Sequence, residues 1–530
     1  MPAASSSAPA VAATPKDTKA DPGYLPGYRQ LQTLSLSPYA PQQYWETTGL
    51  TPSFGTHTPS SGLRFDFHGY MQMPVRAGIG SRPNAGPEQS SVTLHGDPVV
   101  PGASFGWFDQ TPTVPWPWAQ LNFIVGNDVV QMTAIVGAWN ISESMSASTY
   151  FQVPAQVWFN DVFLTYTPKN TGPVGVTIKV GSFPERYGYM AQYTLGAYPA
   201  PFVAFIRGVG GTATVLLPFE YDLDLKLEAG FKGDINHPPL DLAPEPSNNF
   251  ASAAQGSTFA PHLHASLTYK QTATLALHYI DAFEHDDRPD GFADPSVPFN
   301  TAADTADGTI KVAAADLTVN GGRFGYLYLG ASKIDIHGAD HLDDLVQVLN
   351  TGGGKLLMQR YIGDFSHGDG GLLLFGGQYT VSLGTLLRYP QEFWGDGPDL
   401  LISVFGVGAS THTDDPTPAS LARSLNVPYD GKKMFKYGTE LTYSVLPWMA
   451  MAGRFDHVIP DAGDLNQSFM VLSPRLIFRS GWQARETLSL VYARYLLGSQ
   501  VVVNGDTRLM NNPSGHPDTQ MVAIAATMWW

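Results

Sequence analysis

The 530 residues carry 30 Lys and Arg against 46 Asp and Glu, a formal net charge of −16. This argues against nucleic acid as a partner, because phosphate binding needs clustered cations. Charged residues reach only 14%, well under the quarter or so typical of soluble domains. Cysteine is absent, which rules out disulfides and thiolate chemistry, and no run approaches the roughly 18 uncharged apolar residues of a membrane helix.

Residues 1–60 open on Met-Pro-Ala-Ala-Ser-Ser-Ser and read as a flexible Pro/Ala/Ser arm, with Tyr24, Tyr28, Tyr39 and Trp45 as docking anchors. No basic segment leads into an apolar one there. If the remainder is an exported barrel, the arm is expected in the periplasm, with the export signal removed from this version of the chain.

From Leu63 the pattern changes. Leu63, Phe65, Phe67, Gly69, Met71, Met73 and Val75 share one face of an alternating strand. Arg64, Asp66, His68, Tyr70, Gln72, Pro74 and Arg76 share the other. A sandwich core would strand those ionisable groups, whereas a wall between lipid and a wet lumen suits both faces. The same alternation predicts strands over 259–270, 435–445 and 449–456, with His262, His264, Lys436, Glu440, Arg454 and Asp456 on the polar side. Over 484–497 it is less clean, with Leu488, Leu490 and Arg494 on one face.

Tight-turn signals at 126–128, 169–173, 270–272, 320–322 and 480–483 alternate with long polar stretches. The latter lie near 78–117, 140–156, 183–209, 233–257, 284–307, 337–368, 411–432, 459–466 and 498–516. Short ends on one side and long loops on the other predict an all-β fold, a single transmembrane antiparallel β-barrel over 61–530. It has about 18 strands, with about 16 as the alternative, and an even number returns both ends to the periplasm. In the 337–368 stretch, Leu342, Leu345, Val346 and Leu349 have a helical spacing and read as a short lid helix. Acidic runs at 284–290 and 340–344 read as solvated surface, and the His262/His264 pair as lumen lining rather than a metal site.

The stretch from Phe183 to Val209 is too aromatic for a loop in water. Tyr187, Tyr189, Tyr193 and Tyr198 lie close to Glu185, Arg186 and Arg207. Folded into the lumen, they would constrict it. The blander reading is that the tyrosines only pack the loop against the wall. Inward Arg64, Arg76, Lys179, Arg454 and Arg475 set against Asp66, Asp161, Glu440 and Asp456 suggest a transverse field across the pore.

The last strand alternates from Met521 to Trp530, with Trp529 on the face opposite Trp530. Closure makes it a neighbour of the first strand, which puts Tyr70 and Trp529 in one column along the lumen. Aromatic faces flanked by ionic groups suit pyranose rings. An interfacial Trp and a lining Tyr without ligand preference weigh equally.

Phe67-His-Gly-Tyr70, followed by Arg76-Ala-Gly-Ile-Gly80, and the closing Met528-Trp529-Trp530 resemble the two ends of maltoporin-type, sugar-specific outer-membrane porins. The resemblance implies that Tyr70 and Trp529 belong to an aromatic slide for sugars. Gln192 stands where that family has an acidic residue, and the segment from Val180 to Gly188 suits general and phosphate-selective porins as well.

The expected function is passive diffusion of small hydrophilic solutes, oligosaccharides among them, through a water-filled pore of the bacterial outer membrane. The expected path runs past Tyr70, Arg76, Asp66, Trp529 and the aromatic stretch. No cofactor or metal is expected. The expected partners are the bilayer and lipopolysaccharide, with a homotrimer by analogy. With no Gly-x-Ser-x-Gly elbow and no zinc spacing, an outer-membrane phospholipase is the enzymatic alternative.

Overall fold

The computed structural model describes residues 62–79, 118–139, 156–188, 202–235, 257–285, 307–338, 349–351, 369–388, 399–413, 432–478, 486–509 and 518–529, less a few single positions within them. The expected arm, 1–60, lies outside the described residues. The first strands are β1 (Arg64–Ile79), β2 (Trp118–Gly126), β3 (Val130–Trp139), β4 (Gln156–Tyr166), β5 (Gly175–Ser182), β6 (Glu185–Tyr187), β7 (Ala204–Ile206) and β8 (Val209–Phe219). Next come β9 (Leu223–Ile235), β10 (Ser257–Tyr269), β11 (Ala273–His285), β12 (Asp307–Asn320), β13 (Tyr326–His337), β14 (Leu349–Thr351) and β15 (Gly370–Ser382). A short helix α1 (Leu383–Arg388) precedes β16 (Asp399–Thr413), β17 (Lys432–Leu446), β18 (Met449–Ile459) and β19 (Phe469–Phe478). The chain closes with β20 (Glu486–Leu497), β21 (Gln500–Val503), β22 (Asp506–Leu509) and β23 (Asp518–Trp529).

Eighteen of these strands form one antiparallel sheet. Neighbours in the chain pair in sequence, with β5 passing to β8, β13 to β15 and β20 to β23. The sheet then closes on itself, because β23 also pairs with β1 from Tyr70↔Trp529 to Ile79↔Gln520. Closure leaves no unpaired edge of backbone groups, which a spanning sheet in lipid requires.

Tight turns and long connections alternate between the two rims, as the turn signals predict, except that the β15–β16 connection on the tight-turn rim spans 383–398 and includes α1. Two further tight turns have no Gly or Asn signal. Between β8 and β9 the chain reverses at 220–222, with Tyr221 and Asp222 themselves left-handed at φ 67° and 58°. The second lies between Leu446, the end of β17, and Met449, the start of β18. The lid helix is not upheld at Leu349, which opens strand β14; pairing with β7 overrides its local helical spacing. Residues 342–348 lie outside the described residues.

Burial alternates most cleanly in β18 and β19, where every second residue from Ala450 and from Phe469 is buried. The outward series is apolar: Leu263, Leu277, Phe375, Leu441, Met451, Leu472 and Ile524 are all exposed. Leu488, Leu490 and Arg494 of β20 do share the outer face. Near the long-loop rim, outward Phe231, Phe259 and Phe283 form a row with centroids 5.5 and 5.4 Å apart. Near the tight-turn rim stand Tyr269, Tyr443 and Trp448, the last stacked on Phe478. From Phe259 to Tyr269 is ten residues, about 25 Å along the barrel axis at a strand tilt of roughly 40°, the height of an outer-membrane apolar band. This is the architecture of a bacterial outer-membrane barrel.

Candidate functional site: the barrel interior

One segment folds inside the wall. Strands β6, β7 and β14 form a separate three-stranded antiparallel sheet with β7 in the middle. Apolar side chains explain why it leaves the rim: Phe183, Tyr187, Phe202, Val203, Ala204 and Ile206 are all buried. The ring of Phe202 meets Tyr328 edge-on at 5.8 Å and lies over the inner-wall glycines Gly330 and Gly376. A Cβ added at either glycine would stand 2.9 or 3.0 Å from that ring. Only a wall without side chains there admits Phe202 so closely.

Polar groups of β8 to β12 hold the same segment from the other side. Tyr187 donates its hydroxyl to Glu228 Oε1 at 2.5 Å. Glu228 also accepts from Thr214 at 3.2 Å and pairs with Lys226 at 3.0 Å. The Tyr187 ring stacks on His264 at 5.3 Å and tilts against His278 at 5.1 Å. His278 Nε2 lies 2.6 Å from Asp316 Oδ2. Glu185 pairs with Lys179 at 3.4 Å, and Lys232 places its ammonium over the ring of Phe183. The Tyr187 phenol is held well above its ordinary pKa, first by burial and then by the carboxylates of Glu228 and Glu185. It therefore stays a donor.

A second charged patch lies on β17, β18 and β19. Arg454 donates twice to Asp456, Nε to Oδ2 at 2.8 Å and Nη2 to Oδ1 at 2.6 Å, and its guanidinium lies 4.6 Å from the Phe405 ring centre. Arg475 pairs with Glu440 at 2.8 Å. The expected transverse field is corrected for Glu440, Arg454, Asp456 and Arg475. Glu440 and Arg454 are register partners, so these four opposite charges neutralise one another on one stretch of wall rather than facing each other across the pore. Lys179 likewise has Glu185 beside it, and Asp161 accepts from Ser182 at 3.3 Å.

Of the residues expected along the path, Glu185 and Tyr187 sit in the inward sheet, and Arg186 lies between them with its backbone paired to Phe205. Tyr70 and Trp529 are direct register partners across the closure. Asp66 is opposite Ile124 and Arg76 opposite Ala523. Tyr189, Tyr193, Tyr198 and Arg207 lie outside the described residues. Sequence reading missed Glu228, His278 and Asp316 as companions of Tyr187. Their inward parity is visible, but the cross-strand registers that unite them are not.

No family model matches the chain, and no curated protein matches it. Among solved structures it is similar to OccAB1 of Acinetobacter baumannii, at 10% identity and a TM-score of 0.40, covering 90% of this chain and 98% of that one. It is similar to OprB of Pseudomonas putida at 9% identity and a TM-score of 0.39, covering 88% and 94%. The outer membrane channel DcaP of Acinetobacter baumannii matches at 10% identity and a TM-score of 0.36, covering 89% and 99%. At such distances the architecture stands on the strand pairing alone.

Proposed function

We propose that this chain is an outer-membrane diffusion pore that passes small hydrophilic solutes down their gradient. One observation carries the reading: a closed barrel with an apolar exterior has a segment folded inside it and anchored to a polar wall by Tyr187. Selectivity then arises from the width left beside that segment and from the charges that line it. The mixed-sign wall patches favour a pore tolerant of either ion sign. No covalent chemistry is assigned, and the same proposal includes a homotrimer in contact with lipopolysaccharide.

A sugar path is the finer reading, supported by the pairing of Tyr70 with Trp529. Planar-bilayer recording tests both. Ohmic single-channel current is expected, and maltodextrin should block it in a concentration-dependent way that Tyr70→Ala and Trp529→Ala abolish. Current indifferent to sugar leaves a general pore, with reversal potentials in a salt gradient reporting anion preference. Absence of channels together with phospholipid hydrolysis by the solubilised protein would replace the pore with an outer-membrane lipase.

A further inference from the structure

Beneath the tyrosine that anchors the inward segment lies a pair of imidazoles. His264 on β10 and His278 on β11 are register partners, and their Nδ1 atoms face each other at 3.0 Å. The second nitrogen of His278, Nε2, is 2.6 Å from Asp316 Oδ2. A carboxylate only accepts, so this Nε2 carries the proton and the Nδ1 of the neutral ring presents its lone pair. One proton, donated by His264, then bridges the two Nδ1 atoms. A cation that binds two neutral imidazoles can replace it once His264 carries its single proton on Nε2 instead, a change of tautomer with no net loss of a proton.

We propose that His264 and His278 form a two-imidazole site for a divalent first-row transition cation, Cu2+ in preference to Zn2+, with Asp316 supporting His278 from behind. The 3.0 Å separation is short enough for one cation, at about 2.05 Å from each, to reach both nitrogens. Cu2+ heads the affinity order for nitrogen ligands, ahead of Zn2+. Adjacent strands hold both rings, so little chain freedom is lost on binding. The carboxylate behind His278 is the partner that metal-bound histidines usually have. Among the described residues no third histidine or carboxylate completes the set, so water fills the remaining positions.

The test uses the full chain, solubilised in detergent and stripped with chelator. Calorimetric titration with Cu2+, Ni2+ and Zn2+ is read beside the electron paramagnetic resonance of the copper form. One Cu2+ per chain is expected above the weak binding of the other histidines, with superhyperfine coupling to two nitrogens and Zn2+ weaker by about tenfold or more. His264→Gln or His278→Gln should each lower the Cu2+ affinity by about tenfold or more, and Asp316→Asn by about 10–100-fold. His262→Gln should leave it unchanged. Heat-modifiable gel mobility checks that each variant is a folded barrel, and Asp316→Asn decides alone where a histidine variant is not. Equal Cu2+ binding by His264→Gln/His278→Gln, or coupling to fewer than two nitrogens, overturns the site. No current is measured, so this outcome is separate from that of the pore proposal.

Discussion

Replacing Tyr187 with Phe removes one atom from the contact that ties the inward sheet to the wall. The lost bond runs from a phenol to a carboxylate at 2.5 Å, a class worth about 1.5–3 kcal/mol. Glu228 keeps Thr214 and Lys226 as partners, so no charge is orphaned and the lower end applies, about 1.5 kcal/mol. The ring stack on His264 survives, because the substitution keeps the ring. A loss of that size multiplies the fraction of time the Tyr187 end of the segment spends detached by about tenfold. Single-channel recording should therefore show about tenfold more time in a wider conductance, with the mean thermal midpoint nearly unmoved because the wall sets it. The phenol adds a pH signature. Its folded pKa is raised above the ordinary value of about 10, so its contribution is complete below that value and is lost only at still higher pH. Excursions in the wild type should stay flat as the bath is raised to about pH 10. Records of Tyr187→Phe that match the wild type would refute the anchoring role.

Phe202→Ala empties the contact over Gly330 and Gly376 and should cost about 3–5 kcal/mol of docking, raising mean conductance in the same recordings. Gly376→Ala should act in the same direction by pushing the ring off the wall, whereas Gly453→Ala, with open space around its Cβ, should do nothing. Asp456→Ala removes two charge-assisted hydrogen bonds from buried Arg454, which keeps Glu440 at 3.9 Å, and should destabilise the barrel by about 1.5–3 kcal/mol in urea unfolding; Arg454→Met with Asp456→Leu should cost less. Leu263→Arg, on the outer face between the two aromatic rows, should cost about 2–4 kcal/mol in unfolding from vesicles. A negligible cost there would contradict contact with lipid.

What could be read from the chain follows from the period of a strand. Alternation over 259–270 and 449–456 names the outward and inward faces correctly, since one wrong step would put Leu263 and Met451 in the lumen. Turns announced by Gly or Asn at 126–128, 169–173 and 320–322 were legible, and the reversal at Tyr221 and Asp222 was not, because Tyr221 takes a left-handed angle that its side chain does not favour. Parity says nothing about position around the circumference. It could not tell that Glu440 and Arg454 are neighbours, or that His264 meets His278, because each depends on the exact length of a turn. The aromatic excess of 183–209 did point inward, but the wall that receives it is built from Tyr328, Gly330 and Gly376, more than a hundred residues later in the chain.

The inner wall itself argues that the inward segment is a fixed constriction rather than a lid. In the half of β11 to β19 nearer the long loops, the inward positions are Ile280, Ile310, Val312, Ile334, Ile336, Leu372 and Leu374, then Val407, Met434, Val458 and Val471. All are buried, and they form one apolar cluster with Phe202, Val203, Ala204 and Ile206 of the inward segment. A water-filled tube has no use for such a wall, since each exposed side chain would cost about 1.5–3 kcal/mol relative to burial. In the half nearer the tight turns the inward residues are mixed: the buried polar Asp316, Gln378, Ser382, Asp399, Thr442 and Ser444 stand beside Leu401, Ala450 and Ile477. The polar clasp at Tyr187 stands where these two regimes meet. Detaching the whole segment would expose the dry wall to water at a cost far above that of the single hydrogen bond. Tyr187 therefore sets how often the end of the segment flickers, and the apolar cluster sets that it stays inside.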